Sequence, residues 1–319
     1  MKATIVRDLD AAREKFAPCA VAIGNFDGVH IGHQELIRRT VAAAASGEVI
    51  PTVLTFDPHP AAIVAPERAP LNIVPLDERL RLIEMLGVQQ ILVLPFTQSV
   101  AQMTPEDFVK RVLSGPLKSR VVVVGENFRF GTQQSGHADT LRELGAAVGF
   151  ATHFLAPVVF RGEVVSSSAI RRRLLAGDVE RAGRLLGRCF SVKQPVVEGH
   201  GIGSKQTVPT LNLYPAAGQI LPRGVFVTET FDCDDGRHWQ SITNCGIRPT
   251  FGGEDVTVET FLLDPLDGET PKQIEVQFRH FIREERKFAN PTMLKEQILR
   301  DVAKAKTYWR RAGVVPSVR

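Results

Sequence analysis

The apolar residues of this sequence change period once, near residue 190, and that change restricts the fold more than any other feature. Before it, Ala20 to Gly24, Thr52 to Phe56, Ile91 to Leu94 and Val121 to Gly125 are short, largely apolar runs rich in β-branched residues and bounded by Gly, Pro or Asp. Strands buried on both faces of a parallel sheet have this character. Between them, Gln34 to Ala45, Asp77 to Leu86 and Pro105 to Leu113 repeat apolar residues every three or four positions, and Thr104 with Asp107 resembles a capping box. The repetition predicts a doubly wound α/β domain. Two further helices are expected, one starting at Ser167 or Ser168 and one from Asp178 to Leu186.

From about Ser191 the segments Val225 to Phe231, Trp239 to Asn244, Val256 to Leu262 and Ile274 to Phe281 alternate with period two, and Asp234-Asp235-Gly236 supplies a hairpin turn. They predict an antiparallel barrel or sandwich. A final amphipathic helix is expected after Asn290 and Pro291, with Leu294, Ile298, Val302 and Ala305 on one face. Two domains follow, 1–186 and 187–319, because 319 residues exceed the roughly 250 to 300 that one core spans.

Average apolar and charged content, 44% and 23%, argues against a disordered or fibrous chain. The net charge of +4 suits nucleotides and nucleic acid equally and does not choose between them. Cys19, Cys189, Cys233 and Cys245 are far apart and form no C-x-x-C pair, so neither a disulfide framework nor a zinc knuckle is expected. The charged MKATIVRDLD start lacks the apolar stretch of a signal peptide, and no apolar run approaches a membrane span. A cytoplasmic protein without membrane partners is the expectation; oligomerisation is not legible.

Gly24, Asn25, Phe26, Asp27 and Gly28 lead through Val29 to His30 and His33, between a predicted strand and a predicted helix. In a doubly wound sheet phosphates bind there, at a helix N-terminus. An ordinary capping or core role for either histidine is the competing reading. The run resembles the H-x-G-H signature of the cytidylyl and adenylyl transferase superfamily. Class I aminoacyl-tRNA synthetases share that signature, but the second, lysine-rich loop they need is absent, as is a P-loop. Ser168 and Arg171 stand one helical turn apart at another helix start, suited to pyrophosphate. Asn127 and Phe128 follow the last parallel strand of the four. Pro58 and Pro60 stiffen the loop of Thr55 to Pro60 as a wall for a planar ligand, or as a plain turn.

In the second half, Gly199, Gly201, Gly203 and Lys205 form a loop that can approach phosphate closely. Thr210 and Asn212 then offer hard oxygen ligands suited to Mg²⁺ held with substrate phosphates. Taken in order, GNFDGVHIGH, TFDPHP, GENFRFG, SSSAIR, GDVERAGRLLGR, PTLN, NCGIRPTF, VETFLLD and REERKF make nearly the whole chain similar to the bifunctional bacterial riboflavin kinase and FAD synthetase family. The resemblance implies a Rossmann-like adenylyltransferase domain followed by a riboflavin kinase barrel, with ATP, Mg²⁺, riboflavin, FMN and FAD as ligands and no nucleic acid. It places Pro58, Pro60 and Phe128 beside flavin in the first half, and Arg283 and Glu285 near the isoalloxazine in the second.

Phosphorylating the ribityl alcohol needs a general base, for which Glu259 is the candidate. Adenylylation does not, since a phosphate with a second pKa of about 6 is already ionised. Cationic or amide donors suffice there, and His30, His33, Asn25 and Arg171 are of that kind. Two departures stand out. The family's Gly-Phe-Pro-Thr-Ala-Asn is Thr207-Val208-Pro209-Thr210-Leu211-Asn212 here, and Lys205 replaces an arginine. A flavin- or nucleotide-binding regulatory module is the alternative of another class, and the intact polar residues count against it.

Overall fold

A computed structural model describes residues 2–197, 210–250, 253–266 and 268–313. The chain forms two compact units, residues 1–167 and 168–319.

Among the described residues, the first unit holds six parallel strands: β1 Thr4–Val6, β2 Cys19–Ile23, β3 Ile50–Asp57, β4 Gln90–Pro95, β5 Ser119–Gly125 and β6 Ala151–Leu155. Their order is β1-β4-β3-β2-β5-β6. Alternate residues of each central strand serve opposite cores: Val21, Ile23, Leu54, Phe56, Leu92 and Val122 pack on one face, Ala22, Val53, Ile91 and Val123 on the other. Helices Ile31–Ser46 and Leu76–Glu84 cover the second face through Leu36, Ile37, Leu80 and Ile83. The continuous apolar runs of the sequence therefore reflect a sheet with no solvent face. The expected helix over 105–113 is an α-helical turn, Pro105–Phe108, capped by Thr104 and continued by a π-helical segment, Val109–Ser114. Strand succession reverses direction at β2, which pairs with both β3 and β5. In doubly wound sheets ligands bind at such a switch point, which here falls at the carboxyl ends of β2 and β5.

The second unit is an antiparallel sheet of β9 Ser191–Pro195, β10 Thr210–Leu213, β11 Gly224–Asp232, β12 His238–Thr250, β13 Gly253–Leu262 and β14 Gln273–Arg283, in the order β10-β13-β12-β11-β14-β9. Its two edges meet through one bridge, in which Val197 N–H donates to Asn212 O at 2.9 Å, and the sheet curls into a barrel. At the expected hairpin, Asp232 accepts from the Asp234 amide and Gly236 takes φ +77°. On the fully buried face a chain of hydroxyls runs Thr230, Ser241, Thr228, Thr243, Thr260 with oxygen separations of 2.7 to 2.9 Å.

The opposite face is covered by the C-terminal helix Pro291–Arg311, capped by Asn290. Of the expected face of this helix, Ala305 is buried and Val302 packs beside it, and the structure corrects Leu294. The buried line of the helix is Gln297, Asp301, Ala305 and Trp309, while Leu294 is exposed. Two polar residues lie inside because they satisfy arginines from the end of β14: Asp301 Oδ2 accepts from Arg283 Nε at 2.9 Å, and Gln297 accepts from Arg286.

The second unit also contains the helix Val179–Leu186, capped by Asp178 and burying Val179, Ala182, Leu185 and Leu186, with Glu180 2.5 Å from His280 of β14. A fragment of residues 168–319 should accordingly fold with a higher melting temperature than one of residues 187–319, because the shorter piece uncovers the apolar surface that these four side chains cover. Thermal denaturation of both fragments checks this; equal melting temperatures would contradict it.

Candidate active sites

The loop after β2 is a conformational knot. Phe26, Gly28 and Val29 all have positive φ, at +50°, +80° and +40°, a region unfavourable to a β-branched residue. Neighbours fix it. Asp27, almost completely buried, accepts from the Ile73 amide at 2.9 and 3.0 Å, and its backbone oxygen accepts from Ser167 Oγ at 2.9 Å. Gln34 Nε2 donates to Val29 O at 2.9 Å. At Gly24 an added Cβ would lie 3.3 Å from the Phe26 ring. The carboxylate of Asp27, one of the expected nucleotide-binding residues, anchors the chain at 73–74.

The knot delivers two histidines to the start of helix Ile31–Ser46. His30 Nδ1 caps the helix by accepting from the His33 amide at 3.2 Å, and the two rings stack at 3.5 Å, with Phe26 edge-on to His33 at 5.2 Å. Burial, reinforced by His30 and Arg79, holds the His33 imidazole well below the usual histidine pKa. His33 is thus neutral at pH 7, and its buried Nδ1 has no hydrogen-bond partner among the described residues.

Sequence reading missed Arg79, 3% exposed on helix Leu76–Glu84. Its Nη1 donates to Asn25 O at 2.8 Å and Phe56 O at 3.3 Å, tying the loop after β2 to the end of β3. An arginine on an otherwise amphipathic helix carries no sequence signal of this role. The Asn25 amide lies 3.1 Å from His59 Nε2, and His59 Nδ1 caps the short helix Pro60–Val64 that begins at Pro60, with exposed Pro58 just before it. Beyond β5, Asn127 folds over Gly125, where a Cβ would meet its Oδ1 at 3.0 Å, and Phe128 stacks on Phe130 at 5.5 Å. The structure so gathers Gly24 to His33, Pro58, Pro60, Asn127 and Phe128 at the carboxyl ends of β2, β3 and β5. Ser168 and Arg171 belong to the second unit, in the first turns of helix Ser167–Leu175.

In the barrel, register brings three polar residues into one row across β10, β13 and β12: Asn212 opposes Glu259, and Glu259 opposes Asn244. Thr210 lies two residues from Asn212 on the same face, and Asn212 Nδ2 donates to Thr210 O at 3.4 Å. Asn244 Nδ2 donates in turn to Glu285 Oε1 at 3.4 Å. Arg283 is held by Asp301, with its guanidinium 5.8 Å from the Phe288 ring. Gly199, Gly201, Gly203 and Lys205 lie outside the described residues.

Family models described as FAD synthetase and riboflavin kinase match residues 12–169 and 186–309. The chain is 33% identical over 303 residues to the bifunctional riboflavin kinase/FMN adenylyltransferase of Pseudomonas fluorescens, covering 95% of this chain and 96% of that relative. The chain belongs to this family. Relatives of the same description include those of Escherichia coli strain K12, 32% identical over 91% of this chain and 93% of the relative, and of Buchnera aphidicola subsp. Acyrthosiphon pisum, 30% identical over 96% and 98%. A crystal structure from Streptococcus pneumoniae described as a macrolide-efflux protein superposes with a TM-score of 0.83 at 25% identity, covering 96% of this chain and 99% of that one. Among the described residues of the present family member, no helix is long and apolar enough to cross a membrane.

Because the folded pKa of His33 is depressed, its contribution to stability is present above the unfolded value of about 6.5 and is lost as pH falls below it. The His33→Gln variant should therefore lose less melting temperature than the parent between about pH 7 and pH 5. Parallel melting curves across that range would refute a neutral, buried His33.

Proposed function

We propose that the chain phosphorylates riboflavin to FMN with ATP in its barrel, then adenylylates FMN to FAD with a second ATP in its parallel-sheet unit, releasing pyrophosphate. The two activities divide near 186/187 in this reading, where the riboflavin kinase match begins. The cytoplasm is the assigned compartment, and the partners are these small molecules.

The row Asn212, Glu259, Asn244 carries the kinase assignment. It sets a carboxylate between two amides and beside a threonine, an arrangement suited to moving a proton from an alcohol while polar groups orient phosphate. Glu259 accepts the proton of the ribityl 5′-OH as that oxygen attacks the γ-phosphorus and ADP departs. Thr210 Oγ1 and Asn212 Oδ1 are hard oxygen donors and fit Mg²⁺ shared with ATP. Mg²⁺ held there would take its remaining oxygen ligands from substrate phosphates and water, as that ion commonly does. When bound, Mg²⁺ neutralises charge on the transferring phosphoryl group. Arg283 and Glu285 border the isoalloxazine, and the loop bearing Gly199, Gly201, Gly203 and Lys205 takes the nucleotide.

For adenylyl transfer, the ionised FMN phosphate attacks the α-phosphorus without a strong base. The first-turn amides, Asn25 and the imidazoles of His30 and neutral His33 stabilise charge on the α-phosphate and departing pyrophosphate, with Ser168 and Arg171 as further donors. Gly24, Phe26, Asp27 and Gly28 shape the nucleotide loop, Asn127 borders it, and Pro58, Pro60 and Phe128 face the flavin.

Incubation with riboflavin, Mg²⁺ and ATP, followed by chromatography of the flavins, should yield FMN and then FAD; recovery of riboflavin alone would overturn the reading. Glu259→Gln should lower kinase turnover by roughly 10²- to 10⁴-fold while supplied FMN still becomes FAD. Near-parental kinase turnover would assign the proton to another group. His33→Ala should cost adenylyl transfer on the order of 10²-fold with FMN formation intact, and unchanged FAD synthesis would remove His33 from the site.

A further inference from the structure

Asp301 and Gln297 are polar residues on the covered side of the C-terminal helix, 2% and 5% exposed. Buried polar side chains at such positions cost stability unless every bond is made. Here they are made. Asp301 Oδ2 accepts from Arg283 Nε at 2.9 Å and Oδ1 from Gln297 Nε2 at 2.7 Å, while Gln297 Oε1 accepts from Arg286 and, at 3.1 Å, from Arg300 Nε. The helix thus grips the chain through two arginines, one on each side of Glu284 and Glu285. The Phe288 ring lies 5.8 and 5.0 Å from the same two guanidinium groups. Glu285, an exposed residue, lies between these two held arginines. Its carboxylate presses on Gly246, where a Cβ would fall 2.1 Å from Oε1, and it receives Asn244 Nδ2. Asn244 is the register partner of Glu259.

We propose that Asp301, with Gln297, is a positioning residue for the kinase reaction. It holds Glu285 against Gly246 and Asn244 so that the flavin-side wall of the site is built before riboflavin arrives. This rests on the reading of the Glu259 row as the kinase site. Asp301 does not touch substrate; it acts through Arg283 and Glu285. Gly246 is the complementary part, because a Cβ there would occupy the place of the carboxylate and oblige it to move.

The full chain is tested as the Asp301→Asn, Glu285→Gln and doubly substituted variants. KM for riboflavin, KM for ATP, kinase kcat, melting temperature and FMN adenylylation are measured on each preparation. Asp301→Asn should raise KM for riboflavin about tenfold, the effect of weakening one charge-assisted hydrogen bond, with KM for ATP unchanged. In the Glu285→Gln background the same substitution should add less than a further twofold, since both act on one group. Full additivity, or a parental KM for riboflavin in Asp301→Asn, would overturn the proposal. A fall in melting temperature with both KM values moving together would show a structural role only and would overturn it too. If Asp301→Asn does not fold, Gly246→Ala displaces the same carboxylate from the strand side and must raise KM for riboflavin selectively; no selective rise refutes the proposal. Absence of kinase activity in the parent would instead defeat the reading of the site itself.

Discussion

The first unit depends on a guanidinium with almost no access to water. Arg79 donates to the carbonyl oxygens of Asn25, in the loop after β2, and of Phe56, at the end of the pairing of β3 with β4, and so satisfies backbone acceptors at the carboxyl ends of both strands. Burial lowers its pKa, and Asp27 and Asp57 oppose that shift, so the charge is retained within a ring of backbone dipoles and carboxylates. Removing one member strands the others, and buried ion pairs are costly to break for that reason. The knot that presents His30 and His33 therefore stands on a prior electrostatic solution below it.

The two units assemble their candidate sites by different routes. In the parallel sheet every strand ends on the same side, and the succession reverses at β2; the candidate site lies at that end of the sheet. In the antiparallel barrel strand ends alternate, and the polar row lies across a face instead, assembled from residues directly opposed in register. Adenylyl transfer needs donors gathered around phosphate, and the first arrangement provides them. Phosphorylation of an alcohol needs one carboxylate in a fixed polar frame, and the second provides that.

Sequence alone gave away the parts whose pattern is local. The central strands β2 to β5 read clearly because both faces are buried, and β11 to β14 read from their alternation, whereas the short edge strands β9 and β10 were not delimited by it. Strand β1, with three residues, and β6, on an edge with mixed exposure, lack either signature. Glycines, histidines and the HIGH-like spacing marked the first site because a turn and a helix start require them. Arg79 and Asp27 were not legible as a scaffold, since their partners are distant backbone atoms at 25, 56 and 73. The last helix departs from its apolar pattern for a related reason: Val302 and Ala305 pack inward as that pattern expects, but Leu294 is exposed, and Arg283 and Arg286 satisfy Asp301 and Gln297 on the buried side. Tertiary partners decided these positions, and periodicity does not encode them.

The hydroxyl chain within the barrel has a consequence for the opposite side of the same strands. Thr228 with Ser241, and Thr243 with Thr260, are register partners, and Thr228 to Thr243 and Thr230 to Ser241 are the diagonals between them. Sliding β13 along β12 by two residues would bring Thr243 opposite Val258 or Leu262 and leave a buried hydroxyl without its mate. Such a slip preserves which side chains point inward, so hydrophobic patterning alone does not oppose it. The hydroxyls act as a vernier: they select one alignment among those that a greasy interior would tolerate. Only that alignment sets Asn244 beside Glu259, so residues that never meet solvent determine which side chains become neighbours on the working face.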